Sequence, residues 1–270
     1  MTIWLFYLLL GVIQGFTEPI PISSSGHLVI FQELLNIQLP GLSFEIFVNF
    51  ASLLAVLTIY RKDVVRLVVS LWTFLFKKDR SDDTMVDVKF IGLLLVATVP
   101  AGVLGVVFGD WIGETLSGVA TVGYTLILTG LALWFIRNMR GSKGDVGITL
   151  RDAILIGLAQ AVALIPGISR SGATIVMALL LGIKQETALR FSFFMFIPVS
   201  LGTIVLDGPE LFTNPETREL FGPLIVAFIA SYILTAVSLK WFQHIMAKGE
   251  LKYFSFYCWA VGILVVLFLA

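Results

Sequence analysis

The sequence predicts an all-α protein that crosses a membrane several times, and three observations carry that prediction. The 270 residues are 58% hydrophobic and only 13% charged, about half the charged share of a soluble domain. Stretches free of Asp, Glu, Lys and Arg recur at close to the 20 or so residues that a helix needs to cross the hydrocarbon core. The basic residues gather in alternate loops, as cytoplasmic loops require. Net charge is zero, so nucleic acid finds no electrostatic footprint to bind. The single cysteine, Cys258, lies in an apolar stretch and has no internal disulfide partner, which leaves the redox compartment unread. The N-terminus lacks the basic region and small-residue cleavage site of a secretory signal, and it runs straight into Pro19 and Pro21.

Taken in order, residues 1–38 hold an apolar run, a polar interruption and a short apolar run over Leu28–Leu35. Two short helices joined by a polar turn form a re-entrant hairpin, an arrangement tolerated at membrane depth only inside protein or beside an aqueous cavity. Ile46–Tyr60 is the first span, short but extendable by its flanks. Val64–Phe76 mixes apolar residues with Arg66 and reads as an interfacial helix. Phe90–Gly109 and Thr115–Ile136 are the second and third spans. Residues 153–183 repeat the hairpin pattern, with Ala153–Ile165, then "PGISRSGAT", then Ile175–Ile183. Phe191–Leu206, Leu220–Leu239 and Tyr253–Ala270 complete six spans in a single membrane domain covering 1–270.

Sixteen of the 18 basic residues fall in segments 61–89, 137–152, 184–190 and 240–252, which are therefore cytoplasmic. Arg218 stands in an acidic outer loop with Asp207, Glu210, Glu216 and Glu219, and loop 110–114, with Asp110 and Glu114, is also outside. Arg170 is the remaining basic residue.

The two hairpins resemble each other. "GVIQGFTEPIPISSSG" (11–26) and "GLAQAVALIPGISRSG" (157–172) share six of sixteen positions at an offset of 146. Gly11, Gln14, Ile22, Ser23, Ser25 and Gly26 recur as Gly157, Gln160, Ile168, Ser169, Ser171 and Gly172. Repeat 1 covers about 1–136 and repeat 2 about 150–270. Each half is a hairpin plus three spans, and an odd number of spans inserts the halves upside down relative to each other. Inverted repeats with broken helices place their site near the midplane where the half-helix ends meet. Here those ends are Glu18–His27 and Pro166–Thr174.

Arg170 is the only formal charge between Asp152 and Lys184. A charge at membrane depth costs at least ~2.5–3.5 kcal/mol on insertion scales, and the turn "SRSG" gives the side chain no easy way out. A guanidinium fork among hydroxyls at a helix start suits an oxyanion such as phosphate, and Thr174 is placed to cap or bind there. Glu18 and His27, nine residues and two prolines apart, form a candidate acid/base pair. Ser23, Ser24 and Ser25 serve as nucleophile, phosphate donors or simple turn formers. Gln14 and Gln160 occupy twin positions from which either orients a neighbour or a metal-bound water. Glu45 and Asn49, spaced i, i+4, either line the cavity or hold the hairpin. His244, beside Lys240, reads as surface. The set points to phosphoryl chemistry on a lipid-borne substrate, and recognition of an anion without chemistry would use much the same residues.

The two motifs together resemble the undecaprenyl pyrophosphate phosphatase family, also called the bacitracin-resistance family. Its first motif, (E/Q)-x-x-x-E followed by P-x-S-S-(S/T)-G-H, matches "QGFTEPIPISSSGH" at 14–27, and its second, P-G-x-S-R-S-G-A-T, is complete at 166–174. "FEIFVNFASLLAV" at 44–56 extends the resemblance along the chain. The resemblance implies removal of the terminal phosphate of undecaprenyl pyrophosphate in the bacterial cytoplasmic membrane, which recycles the carrier lipid for cell-wall polymers. Glu18, Ser24, His27 and Arg170 would be catalytic, with Ser24 the leading nucleophile and His27 its rival. Ser23, Ser25, Ser169, Ser171, Gly172 and Thr174 would bind phosphate. A divalent cation, magnesium or calcium, would be held through Glu18, with Gln14 standing where many members carry glutamate. Asn49 departs from the family's usual Gln or His and receives no role. The partners implied are the polyprenyl pyrophosphate and the membrane, with a homodimer left open and the site facing the outer side. The rival reading is a transporter or flippase of a phosphorylated prenyl lipid that uses the same midplane site.

Overall fold

The computed structural model describes residues 2–35, 41–213 and 219–270. Residues 36–38 of the first hairpin and Glu216 and Arg218 of the acidic loop lie outside the described residues. Those described form α1 (Ile3–Thr17), α2 (Ser24–Leu35), α3 (Gly41–Ile59), α4 (Arg61–Phe76), α5 (Asp82–Leu116) and α6 (Val119–Ile136). After a short 3₁₀ turn at Asp145–Gly147 come α7 (Leu150–Val162), α8 (Arg170–Leu180), α9 (Gln185–Thr213), α10 (Phe221–Lys248) and α11 (Lys252–Phe268). The chain is thus an all-helical, multi-pass membrane protein. α5, α6, α9 and α10 each contain a window long and apolar enough to cross the bilayer. α3 meets that test only together with α4, to which it is joined by a sharp bend, and α11, with 17 residues, stands at the lower limit for a span.

Several boundaries differ from the sequence reading, α5 and the helix after it among them. α5 begins at Asp82 and runs 35 residues, roughly 50 Å at 1.5 Å per residue, so it reaches well beyond a bilayer core. The next helix starts at Val119 rather than Thr115, because Gly118 takes an extended conformation as its N-cap. α4 turns 82° away from α3 at Tyr60. Its lipid-ready side chains, Val65, Val68, Val69, Trp72 and Phe76, are exposed, as an interfacial helix requires.

Each polar interruption lies in a turn between two short helices. α1 and α2 are joined by a turn at 18–23, and α7 and α8 by one at 163–169. α1 packs along α10, α7 along α5, and α6 along α11. Lipid tails are as apolar as leucine, so helices in a bilayer associate through close backbone approach and polar contacts rather than through the hydrophobic effect. Both devices are present. A Cβ placed on Gly11 would stand 2.4 Å from the Ala227 carbonyl oxygen, and one on Gly157 would stand 2.4 Å from that of Ala97. Between α3 and α10, the Ser52 hydroxyl lies 2.9 Å from Thr235 Oγ1 and 3.3 Å from Ser231 Oγ, fully buried.

The four basic segments meet at one end of the molecule. Arg190 of α9 pairs with Asp145 and lies 3.6 Å from Asp63. Arg66 lies 3.4 Å from Asp87, and Lys89 Nζ donates to the Val146 carbonyl at 3.1 Å. The Lys143 carbonyl accepts from the Lys184 N–H. His244 is exposed at this end, as the sequence indicates.

Candidate active site

The first hairpin turn is built on an uncommon backbone. Ser23 takes φ +67, a left-handed conformation that costs a non-glycine residue about 1–2 kcal/mol. Its side chain and carbonyl then start α2. Ser23 Oγ accepts from the Gly26 N–H at 3.2 Å, and its carbonyl accepts from the His27 N–H at 3.2 Å. The second turn has the same end: Ser169 Oγ accepts from the Gly172 N–H at 3.1 Å. Ser23–Ser25 and Ser169–Ser171 hydroxyl pairs lie 3.3 and 3.2 Å apart. The recurring Ser-x-Ser-Gly is therefore an N-capping device. The first residues of both half-helices, Ser24 and Ser25 with Arg170 and Ser171, border the cavity, and helix starts favour anions.

Between the two turns sits Glu18. Its Oε2 accepts from the Ser24 hydroxyl at 2.5 Å and from Gln14 Nε2 at 3.0 Å, and its Oε1 pairs with Arg170 Nη2. The side chains are 12% exposed for Glu18 and 25% for Arg170, so the ion pair is partly withdrawn from solvent. The guanidinium also lies 4.0 Å over the Phe196 ring, a cation–π contact that anchors the charge without occupying its donors. These groups open on a cavity of about 490 Å³, bordered by Gln14, Glu18, Ser23, Ser24, Ser25, Ser169, Arg170 and Ser171. Gly113 and Ser117, at the α5–α6 junction, form part of its wall. Glu45 and Asn49 line it too.

Other residues are placed differently from the sequence expectation. His27 does not meet Glu18: its Nδ1 lies 2.7 Å from the Ser23 carbonyl and its Nε2 lies 2.8 Å from the Tyr257 hydroxyl. Because His27 stands on the first turn of α2, the carbonyl four residues back captures its ring, and Ser24 takes the place at the carboxylate. Thr174 is buried and points into the protein, with its hydroxyl 2.6 Å from Ser192 Oγ and 3.0 Å from the Arg170 carbonyl it donates to. It steadies the start of α8 rather than facing the cavity. Gly172 spends its N–H on the cap. Gln160 is 2% exposed, and neither end of its amide has a hydrogen-bond partner among the described residues. Leu164 stands where Glu18 stands in the first hairpin, so Gln160 has no carboxylate to orient.

No group of three or more His, Cys, Asp or Glu side chains with metal-holding geometry occurs among the described residues. Magnesium does not need one, since it commonly binds through one or two carboxylates plus substrate phosphate oxygens and water. Glu18 and Glu45, with the amides of Gln14 and Asn49 on the same cavity, fit an ion brought in on a diphosphate. Sequence reading missed Phe196, Ser192 and Tyr257. Each lies in an apolar span far from either motif, and no local signal marks it.

The chain matches the family model for the bacitracin resistance protein BacA over residues 7–264. It is 58% identical over 263 residues to "Undecaprenyl-diphosphatase 2" of Bacillus thuringiensis (strain Al Hakam), covering 97% of each chain. It is 54% identical over 265 residues to the undecaprenyl-diphosphatase of Oceanobacillus iheyensis, covering 97% of this chain and 96% of that one. Identity to "Undecaprenyl-diphosphatase 1" of Halalkalibacterium halodurans is 52% over 266 residues, 98% of this chain and 96% of the relative. A match that takes in both hairpins and every helix between them makes this chain a member of the BacA bacitracin resistance family.

Proposed function

We propose that this protein is an integral-membrane hydrolase that removes the terminal phosphate of undecaprenyl diphosphate, returning the carrier lipid to cell-wall synthesis and giving resistance to bacitracin. The observation that carries the reading is the chain of contacts Ser24–Glu18–Arg170, a hydroxyl, a carboxylate and a guanidinium meeting on one cavity. An anion-binding or transport site needs the arginine but has no use for a serine hydroxyl held 2.5 Å from a carboxylate.

The residues act as follows. The incoming diphosphate competes with Glu18 for Arg170, whose fork suits phosphate oxygens. Glu18, released from its ion pair, keeps Ser24 as its neighbour and takes its proton as general base. The Ser24 oxygen then forms a bond to the terminal phosphorus while the bridging P–O bond breaks and undecaprenyl phosphate leaves. Water next cleaves the serine phosphate ester and regenerates the hydroxyl. Arg170 and the first-turn N–H groups of α2 and α8 hold the equatorial oxygens throughout, and such positioning and charge stabilisation carry most of phosphoryl-transfer catalysis. A magnesium or calcium ion on Glu18 would neutralise charge on the departing phosphate.

Orientation follows from the two ends of the molecule. Gly113 and Ser117 border the cavity, while the basic segments meet elsewhere, at the other side of the helices. With the basic end in the cytoplasm, the site opens to the outer face of the bacterial cytoplasmic membrane. The reciprocal packing of α1 on α10 and α7 on α5, with Gly11 and Gly157 making the same close approach, supports an inverted repeat of residues 1–136 and 150–270 within one domain. Ser117→Cys should react with an impermeant thiol reagent from outside the cell, and Ser142→Cys only after permeabilisation. Cys258 is buried and adds little background. A homodimer is the assembly to test by cross-linking.

The deciding measurement is phosphate release from defined prenyl diphosphates by the purified protein in detergent. Release should stop with a chelator and return with magnesium or calcium. Absence of release from any prenyl diphosphate with metal present would overturn the assignment.

A further inference from the structure

The His27 ring has one proton to place between two neighbours. A backbone carbonyl only accepts, so the 2.7 Å contact with the Ser23 oxygen puts a proton on Nδ1. In the neutral ring Nε2 is then an acceptor, and at 2.8 Å it receives the Tyr257 O–H. The two rings are nearly parallel, with an interplanar angle of 11° and centroids 5.6 Å apart, and the imidazole is buried. Tyr257 sits on α11, 230 residues along the chain, and its neighbour Cys258 directs its thiol at the Pro21 carbonyl of the same turn. The last helix of the protein thus braces the first hairpin at two adjacent points.

What the histidine holds is the Ser23 carbonyl, which it engages with both its ring Nδ1–H and its backbone N–H. That carbonyl belongs to the residue in the left-handed conformation, and the next residue is the serine whose hydroxyl reaches Glu18. We infer that Tyr257 is a positioning residue for phosphate release: its hydroxyl fixes the Nδ1–H tautomer of His27, and His27 in turn locks the Ser23 turn that aims Ser24 at Glu18. On this account His27 is itself a positioning residue, neither base nor nucleophile. The inference rests on the phosphatase reading.

Amide isosteres separate the two roles. Asparagine places its NH₂ near the position of Nδ1, and glutamine places its NH₂ near that of Nε2. His27→Asn should therefore keep the bond to the Ser23 carbonyl and retain measurable turnover, whereas His27→Gln and His27→Ala should be far slower. Tyr257→Phe keeps the ring and loses only the hydroxyl. It should lower kcat for farnesyl diphosphate roughly 10–100-fold, the scale on which a small misplacement of reacting groups acts, with KM changed less than about twofold and unchanged elution on size exclusion. Because Tyr257 acts through His27, Tyr257→Phe should cost nothing further in the His27→Asn background. Wild-type kcat in Tyr257→Phe would overturn the inference, as would full additivity in the double variant or a His27→Asn no better than His27→Gln. Each of these can occur while the wild-type protein still releases phosphate. An inactive wild-type protein would instead remove the phosphatase reading and this inference together.

Discussion

The two hairpins make nearly the same turn and put different chemistry on it. At equivalent positions stand Ser24 and Arg170, Glu18 and Leu164, and His27 and Ala173. Ser24 and Arg170 reach the same carboxylate from opposite sides, so Glu18 lies where the two half-helix starts converge. The shared residues, Ser23 with Ser169 and Gly26 with Gly172, build caps of matching length. The two helix starts thus share one cap and differ at three positions, which place a guanidinium on one and a carboxylate-bonded hydroxyl on the other. The turns also reach their left-handed residue differently. The second spends it on Gly167, φ +88, where it is free of steric cost, and the first on Ser23, φ +67, immediately before Ser24. Strain of this kind gathers at functional sites held in place by their surroundings.

The sharpest way to break the comparison is to remove its two unlike members. Arg170→Ala should lower kcat/KM by roughly 10³-fold or more, the loss expected when a donor to transition-state charge is deleted, and it should raise KM because the ground-state diphosphate loses the same fork. Arg170→Lys keeps the charge without the bidentate geometry and should fall between. Ser24→Ala should lower kcat by roughly 10²–10⁴-fold with KM little changed. Steady-state kinetics of phosphate release in detergent measure both. An Arg170→Ala enzyme with wild-type KM, or a Ser24→Ala enzyme with wild-type kcat, would mean that the twin positions do not divide binding from chemistry.

Much of this arrangement is legible in the sequence, for physical reasons. Apolar runs of span length mark helices because the bilayer admits no unpaired backbone. Pro, Gly and Ser in the middle of such runs mark broken helices, and a lone Arg170 among hydroxyls marks the turn that meets Glu18. The partners were harder to read. Nothing local says that Ser24 rather than His27 meets Glu18, because that choice depends on where α2 begins, and it begins at Ser24. Tyr257, Phe196 and Ser192 are single residues in lipid-facing or core helices, and their contacts exist only after α9 and α11 pack on the hairpins. The orphaned Gln160 runs the other way. The repeat suggests a supporting role for it, but its twin's carboxylate is a leucine in this half.

Packing should respond alike in the two halves where chemistry does not. Gly11→Ala and Gly157→Ala each push a methyl against a backbone carbonyl 2.4 Å away, which only a shift of a whole helix relieves. Each should cost about 1–3 kcal/mol, the range for overpacking, seen as a lower unfolding temperature in detergent. Gly102→Ala meets nothing within 4 Å and should be neutral or slightly stabilising through the unfolded chain. If Gly11→Ala destabilised and Gly157→Ala did not, the reciprocal packing of the halves would lose its energetic basis.

The smallest effect tests the strained turn itself. Ser169→Gly removes a capping hydroxyl, worth a few tenths of a kcal/mol against glycine, and adds backbone freedom to the unfolded chain worth about 0.5–1 kcal/mol. At φ −70 it gains nothing in return, so it should destabilise by about 1 kcal/mol. Ser23→Gly suffers the same two losses but also relieves a left-handed serine, worth about 1–2 kcal/mol. Its net change should lie near zero or slightly on the stabilising side. The two variants should therefore differ by about 2–8 °C in unfolding temperature at this chain length, with Ser23→Gly the more stable and, since a glycine turn is freer to leave the shape that aims Ser24 at Glu18, the less active. Equal shifts in the two variants would show that Ser23 carries no strain, and the contrast between a relaxed turn that binds and a strained turn that reacts would have to be given up.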